Sequence, residues 1–251
     1  VKRDDLVGYL DDFLQTGAIE DASDNGLQVE GAGEVTHVAF AVDSGLAAFE
    51  GAREAGAQML IVHHGLFWSK TVLITGVHRR RLQALFDANL SLYASHLPLD
   101  LHPEVGNNAT LARWLELEEV NPFGHHKGLS IGLEGCLSET LSLHDFVSHL
   151  EGSLGEPAVR VWAFGPESVR RVGVVSGGAG FLVDEAAKSG LDLYLTGELN
   201  HNVYHQAREW GLNVVFGGHY ATETAGLKSL ADHLNARFGL ETTFIDLPTG
   251  T

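Results

Sequence analysis

Thiols are almost missing from this chain of 251 residues. Cys136 stands alone, which excludes an intramolecular disulfide and any metal site built on several thiolates. Long apolar runs are missing as well, since no stretch approaches the ~18–20 residues that cross a bilayer. The opening residues, VKRDDLVGYLDDFLQ, read as an acidic amphipathic helix rather than the apolar centre of a signal peptide, and a cytoplasmic protein is expected. Positive charge is scarce. The chain holds 33 acidic against 16 basic residues, a formal net charge of −17, and lysine occurs only at positions 2, 70, 127, 188 and 228. That balance disfavours binding to nucleic-acid phosphates or anionic membranes, because the long-range field repels both. A salty cytoplasm and ordinary solubility charge account equally well for such a surface. No serine sits in a Gly-x-Ser-x-Gly elbow, so covalent serine catalysis has no support.

What is present is an alternation of short apolar strands with helices of about ten residues, the pattern of an α/β architecture. The periodicity predicts a helix over 3–16, a strand over 35–42, a helix over 45–57 and a strand over 58–64. A helix at about 76–88, a strand over 90–96 and a helix at about 106–117 follow. The breaker-rich stretch NPFGHHKG (121–128) is the best candidate boundary. Beyond it strands and helices alternate again, ending in a long helix, ATETAGLKSLADHLNARF, and a last strand, LETTFID.

The halves also resemble each other. AVDSGLAAFEGAREAGAQMLIVHHG and VVSGGAGFLVDEAAKSGLDLYLTGE share a strand, a small-residue turn, a helix, a capping glycine and a second strand. Aligning Gly56 with Gly190 sets His63–His64 opposite Gly197–Glu198 and brings His96 near the level of His219. Duplication is the better reading, because polar groups recur at equivalent strand ends. The expectation is two similar α/β domains, residues 1–124 with 225–251 and residues 125–224. A ligand site is expected in the cleft between them, at the carboxyl ends of the strands.

Several apolar strands end abruptly in polar residues. His63 and His64 follow LIV, LYASHLPLD supplies His96 and Asp100, LTGELNH supplies Glu198 and His201, and VVFGGHYATE supplies His219 and Glu223. The i,i+4 spacing of His219 and Glu223 can aim both at one point. Neutral imidazole and carboxylate suit first-row divalent ions such as zinc, iron and manganese. Two histidines and a carboxylate satisfy one ion with open positions, whereas five or more convergent ligands point to two ions. A lone strand-end histidine is more often a surface residue. The adjacent pair says more, because neighbouring side chains on a strand face opposite ways and share a site only where the strand has just ended. VVSGGAG lacks a P-loop lysine, so a tight packing turn explains it better than a phosphate cradle.

VHHGLFW, SHLPLD, LTGELNH and GGHYATE, in this order over nearly the whole chain, resemble the Nif-three-like dinuclear-metal family, whose members carry the label GTP cyclohydrolase I type 2 homologue. The resemblance implies a dinuclear site formed by His63, His64, Asp100, His219 and Glu223, with none of the five missing. His96 matches a family histidine near the metals and is expected to support proton transfer, as is Glu198, although the residues around Glu198 and His201 vary from the pattern. The resemblance also implies two similar α/β domains, two divalent ions per chain and a ring-like homo-hexamer. The function expected is a metal-dependent hydrolase with Glu223 as bridging carboxylate, of GTP cyclohydrolase type and acting on a nucleotide or pterin precursor. The alternative is a non-enzymatic metallochaperone that holds a labile ion such as iron for delivery.

Overall fold

The computed structural model describes residues Val1–Thr251. The chain divides into two compact units, Val1–Gly106 with Gly226–Leu247, and Asn107–Ala225 with Pro248–Thr251. In chain order the first run holds α1 (Arg3–Leu14), β1 (Gly26–Val29), β2 (His37–Asp43), α2 (Leu46–Glu54), β3 (Met59–His64), α3 (Gly76–Asp87), β4 (Ser91–Ala94) and α4 (Leu97–Asp100). There follow α5 (Asn107–Trp114), β5 (Leu117–His126), β6 (Leu129–Ser142), α6 (Leu143–Leu154), β7 (Arg160–Trp162), β8 (Ser168–Val175), α7 (Val183–Lys188), β9 (Leu193–Thr196), α8 (Tyr204–Trp210) and β10 (Asn213–Phe216). The long helix α9 (His219–Phe238) contributes its first residues to the second unit and the remainder to the first, before β11 (Glu241–Phe244).

The first unit is built on a five-stranded sheet of order β1-β4-β3-β2-β11, in which β1 alone runs antiparallel to its neighbour. Strands β2 to β4 read as near-continuous apolar runs because both their faces are covered. Ala48, Phe49 and Ala52 of α2 and Leu85 of α3 pack with Leu60, Val62, Leu92 and Ala94 in one buried cluster. The second unit holds a six-stranded sheet of order β5-β6-β8-β9-β10-β7. Strands β8, β9 and β10 are parallel there, and the flanking strands are antiparallel. Phe146, Leu150 and Leu154 of α6 cover Val172, Val174, Leu193 and Val215.

Each unit therefore contains a β-α-β-α-β segment of three adjacent parallel strands, β2-α2-β3-α3-β4 in one and β8-α7-β9-α8-β10 in the other. Their helices end alike. Gly56 (φ 75°) and Gly190 (φ 71°) both take the left-handed conformation, and the next amide in each case bonds five residues back, Ala57 to Ala52 and Leu191 to Ala186. Asn89 (φ 49°) and Gly211 (φ 64°) close α3 and α8 in the same way, with Leu90 bonding to Leu85 and Leu212 to Ala207. These matched caps fall where the sequence alignment of the halves puts them, and the α/β fold with internal duplication is the architecture of the chain.

The breaker-rich stretch has a regular structure. NPFGHHKG is mostly strand, the end of β5 and the turn into β6, with Pro122 opposite Leu133 and Phe123 opposite Gly132. Proline is tolerated here because β5 is an edge strand, with β6 its only neighbour in the sheet. No helix is long and apolar enough to cross a membrane.

Candidate metal centre

In the first unit, β3 ends MLIVHH, so its last two residues are the histidine pair. His63 is fully buried and His64 is partly exposed, as alternation along a strand requires. Their rings nevertheless lie close, with centroids 4.8 Å apart. The ring of His96, just past β4, stands 4.9 Å from His63 and 5.8 Å from His64. One ring nitrogen from each of the three lies within 4.8 Å of the other two. Asp100 closes the short helix α4, where its amide bonds back to the His96 carbonyl at 3.1 Å, and its Oδ2 sits 3.6 Å from His63 Nε2.

Every one of these rings is held from behind by an oxygen. His63 Nδ1 donates to the Ser95 carbonyl at 2.9 Å, and His64 Nδ1 donates to Asp43 Oδ1 at 2.9 Å. His96 Nδ1 donates to both carboxylate oxygens of Asp21, at 3.0 and 3.1 Å. A carbonyl or carboxylate oxygen only accepts, so Nδ1 carries a proton and Nε2 is the nitrogen left to bind an ion. Ligating histidines are oriented in this way, their second nitrogen bound to carboxylate or backbone oxygen. Parallel pairing supplies Asp43, since the register of β2 and β3 places it directly across from His64.

Asp21 is itself braced by Asn25 Nδ2 at 3.0 Å and by the amides of Leu97 at 3.0 Å and Ser23 at 3.3 Å. Burial alone would raise its carboxyl. The bonds from His96, Asn25 and Leu97, together with the electrostatic attraction of the His96 ring, outweigh that and hold it well below the ordinary carboxylate range. The Asn25 side chain also accepts from the His96 amide at 2.8 Å. The polar turn DASDN is thus the support of His96, a role that polar composition alone does not announce. Asp21 and Asp43 are the two residues that sequence reasoning missed, and only the aspartate ending the apolar run VAFAVD left a visible trace.

Gly65 follows the pair for reasons of space rather than torsion. A Cβ there would collide with the Gln28 amide and come within 2.7 Å of Ala94 Cβ, while its φ is not in the left-handed region. Of the aromatic residues flanking the motifs, Trp68 meets His96 edge-on at 5.0 Å and donates its indole N–H to the Gly65 carbonyl at 2.9 Å. Phe67 packs against the apolar cluster beneath, and Tyr220 is buried.

In the second unit, β10 ends at Phe216 and two glycines lead into α9, whose first residue is His219. One turn later Glu223 is buried, and its Oε1 lies 3.1 Å from His219 Nε2. Glu198, after β9, accepts from His219 Nδ1 at 3.2 Å and repeats the carboxylate-behind-imidazole arrangement of the first unit. His201 lies in an exposed turn and joins no such cluster. The loop SGG packs directly under these side chains. Gly177 has φ 63° and its carbonyl accepts from the amides of Gly197 and Glu198, each at 2.9 Å. A Cβ at Gly177 would collide with Glu223 Oε1, and one at Gly178 would come 2.9 Å from Glu198 Oε2. The glycines of VVSGGAG are there to let the backbone pass beneath an acidic cluster, and the tight packing turn is the correct reading of them.

The donors are thus imidazoles anchored through Nδ1 together with the buried carboxylates of Asp100 and Glu223, a set that fits a divalent first-row ion. The family profile described as Duf34/NIF3 (NGG1p interacting factor 3) matches residues 1–250. A GTP cyclohydrolase 1 type 2 homolog of Deinococcus radiodurans is 44% identical over 250 residues, covering 100% of this chain and 95% of that protein. The protein of the same name from Pyrococcus horikoshii is 46% identical over 248 residues, with 99% of each chain covered. The crystal structure of TTHA1606 from Thermus thermophilus superposes with a TM-score of 0.92 at 44% identity, covering 100% of both chains. Motifs, matched helix caps and full-length similarity all lead to one assignment: the chain belongs to the Duf34/NIF3 family.

Proposed function

We propose that His63, His64 and Asp100 of the first unit and His219 and Glu223 of the second act together as the ligands of two divalent ions, with Glu223 as the shared carboxylate. The loaded protein is a hydrolase, and the name its relatives carry makes ring hydrolysis of a nucleotide such as GTP the first reaction to try. The observation that carries the metal reading is the common anchoring of the histidines, with Nδ1 fixed to an oxygen in His63, His64 and His219 alike. Bound divalent ions supply Lewis-acid polarisation of the substrate and a water acidic enough to attack near neutral pH. The protein's own contribution is orientation and proton handling. His96, locked by Asp21, presents Nε2 as the group that takes or returns a proton, and Glu198 steadies His219. Assembly into a ring-like hexamer in the cytoplasm belongs to the same reading.

The test begins with elemental analysis of protein loaded with zinc, iron or manganese, where about two ions per chain are expected. Loaded protein is then incubated with a nucleotide panel beside the Glu223→Ala and His64→Ala variants. Metal-dependent product in the wild type and none in the variants supports the hydrolase. Two bound ions with no product, but fast transfer to an acceptor protein, would overturn it in favour of metal delivery. Light scattering checks the hexamer.

A further inference from the structure

The groove between α2 and α3 in the first unit holds a concentration of positive charge that the rest of the chain lacks. Acidic residues outnumber basic ones by 33 to 16, so most basic side chains have carboxylates to choose from. Arg53, near the end of α2, and Arg79 and Arg80, in the first half of α3, nevertheless line one cleft of about 240 Å³. None of the three makes an ion pair or a side-chain hydrogen bond within the chain. The ion pairs formed by arginine and lysine involve Arg3, Arg171 and Lys188 instead. Two acidic residues, Glu50 and Asp87, share the cleft, and the Asp87 carboxylate takes the Gln83 amide at 2.7 Å rather than a guanidinium.

The charge order along α3 is a second, independent sign. Helix dipoles favour acidic residues in the first turn and basic residues in the last. Helix α3 does the reverse: its first turn contains no acidic residue, Arg79–Arg80–Arg81 follow at once, and the last turn contains Asp87 and no basic residue. Stability of the isolated helix does not explain that arrangement. An anion seated beside Arg79 and Arg80 would, because it neutralises their repulsion and meets guanidinium forks that match phosphate geometry. Phe49 and Ala84 give the same cleft an apolar side. Its volume is below the roughly 300–1,000 Å³ that encloses a drug-sized ligand, so it accommodates a phosphate or diphosphate group while the remainder of the molecule lies outside.

We propose that the α2–α3 cleft binds the phosphate or diphosphate end of a small-molecule ligand, with Arg53, Arg79 and Arg80 as its cationic wall. The site is made of first-unit residues only and shares none with the metal ligands. Titration calorimetry of the metal-free full chain with pyrophosphate and inorganic phosphate tests it. The expected result is saturable binding of one pyrophosphate per chain, weakened at least about tenfold by Arg79→Ala with Arg80→Ala and by Arg53→Ala, and unchanged by His63→Ala with His64→Ala. All three arginines are exposed, and circular dichroism confirms that their variants stay folded. Any of four results would overturn the proposal: no saturation at millimolar pyrophosphate, equal binding by the arginine variants, loss of binding in the histidine variant, or sulfate binding as tightly as pyrophosphate. Tighter binding of a phosphoserine peptide than of pyrophosphate would overturn it in favour of a protein partner.

Discussion

At the scale of single residues, the candidate centre depends on groups that stand one step behind the ligands. Asp43 is the clearest case, because its only evident task is to hold the Nδ1 proton of His64, and it is half exposed and outside the apolar core. Replacing Asp43 with alanine is expected to lower divalent-metal affinity by about 10–100-fold while leaving the fold intact. Chelator-competition titration with circular dichroism on the same samples checks this, and unchanged affinity would remove Asp43 from the site. The proposed ligands His63, His64, Asp100, His219 and Glu223 were named from strand-end polarity and the family resemblance. Asp43 and Asp21 were not, because what recruits them is strand register and loop folding, neither of which leaves a periodic mark in a sequence.

At the scale of elements, α1, the segment after α4 and the far part of α9 meet around Phe13. Its ring lies 4.3 Å from both His102 and His233, and Tyr9 stacks on it at 5.5 Å. His102 is fixed as a neutral ring. Its Nε2 donates to the Phe13 carbonyl at 3.0 Å, and its Nδ1 accepts from the amides of Glu104 and Val105, both at 3.2 Å. Burial pushes this imidazole below its ordinary value, and the bond to Phe13 recovers only part of the shift. Protonation would turn the Nδ1 acceptor into a donor facing two amides. A lowered folded pKa means that the unfolded chain binds the proton more readily. The His102 contribution is therefore complete above pH ~6.5 and is lost as pH falls through the lower folded value. Thermal unfolding between pH 7.5 and 5 should show a fall in melting temperature that His102→Gln reduces. An identical pH dependence in wild type and variant would count against it. None of this was visible beforehand, since His102 had no convergent partner in the linear sequence.

For the whole molecule, metal and stability are linked. Ligands that bind only the folded state stabilise it by mass action, about 2.7 kcal/mol at a free ion concentration of about 100 times Kd. Chelation should therefore lower the unfolding temperature of loaded wild-type protein, and re-addition of metal should restore it. His63→Ala should respond more weakly to both treatments. A wild-type protein whose unfolding ignores both chelator and metal would contradict binding at a native site.

The α/β class and the duplication were determined by sequence alone. Their physical basis is local: apolar strands covered on both faces, helical spacing, and glycine or asparagine at each left-handed cap write themselves into residue order, as Gly56 and Gly190 show. The proposed ligands were singled out there too, because a histidine or carboxylate at the end of an apolar strand breaks the pattern and the family resemblance completes the set. The tertiary structure decided the rest. It made 121–128 largely a strand, because β6 pairs with it along an edge where Pro122 is tolerated. It drew Asp21 and Asp43 behind imidazoles distant in the chain, and brought Gly177 under Glu223. It also gathered Arg53 with Arg79 and Arg80. Those are meetings between segments far apart in sequence, governed by register and packing, and no single segment carries a record of the partner it will meet.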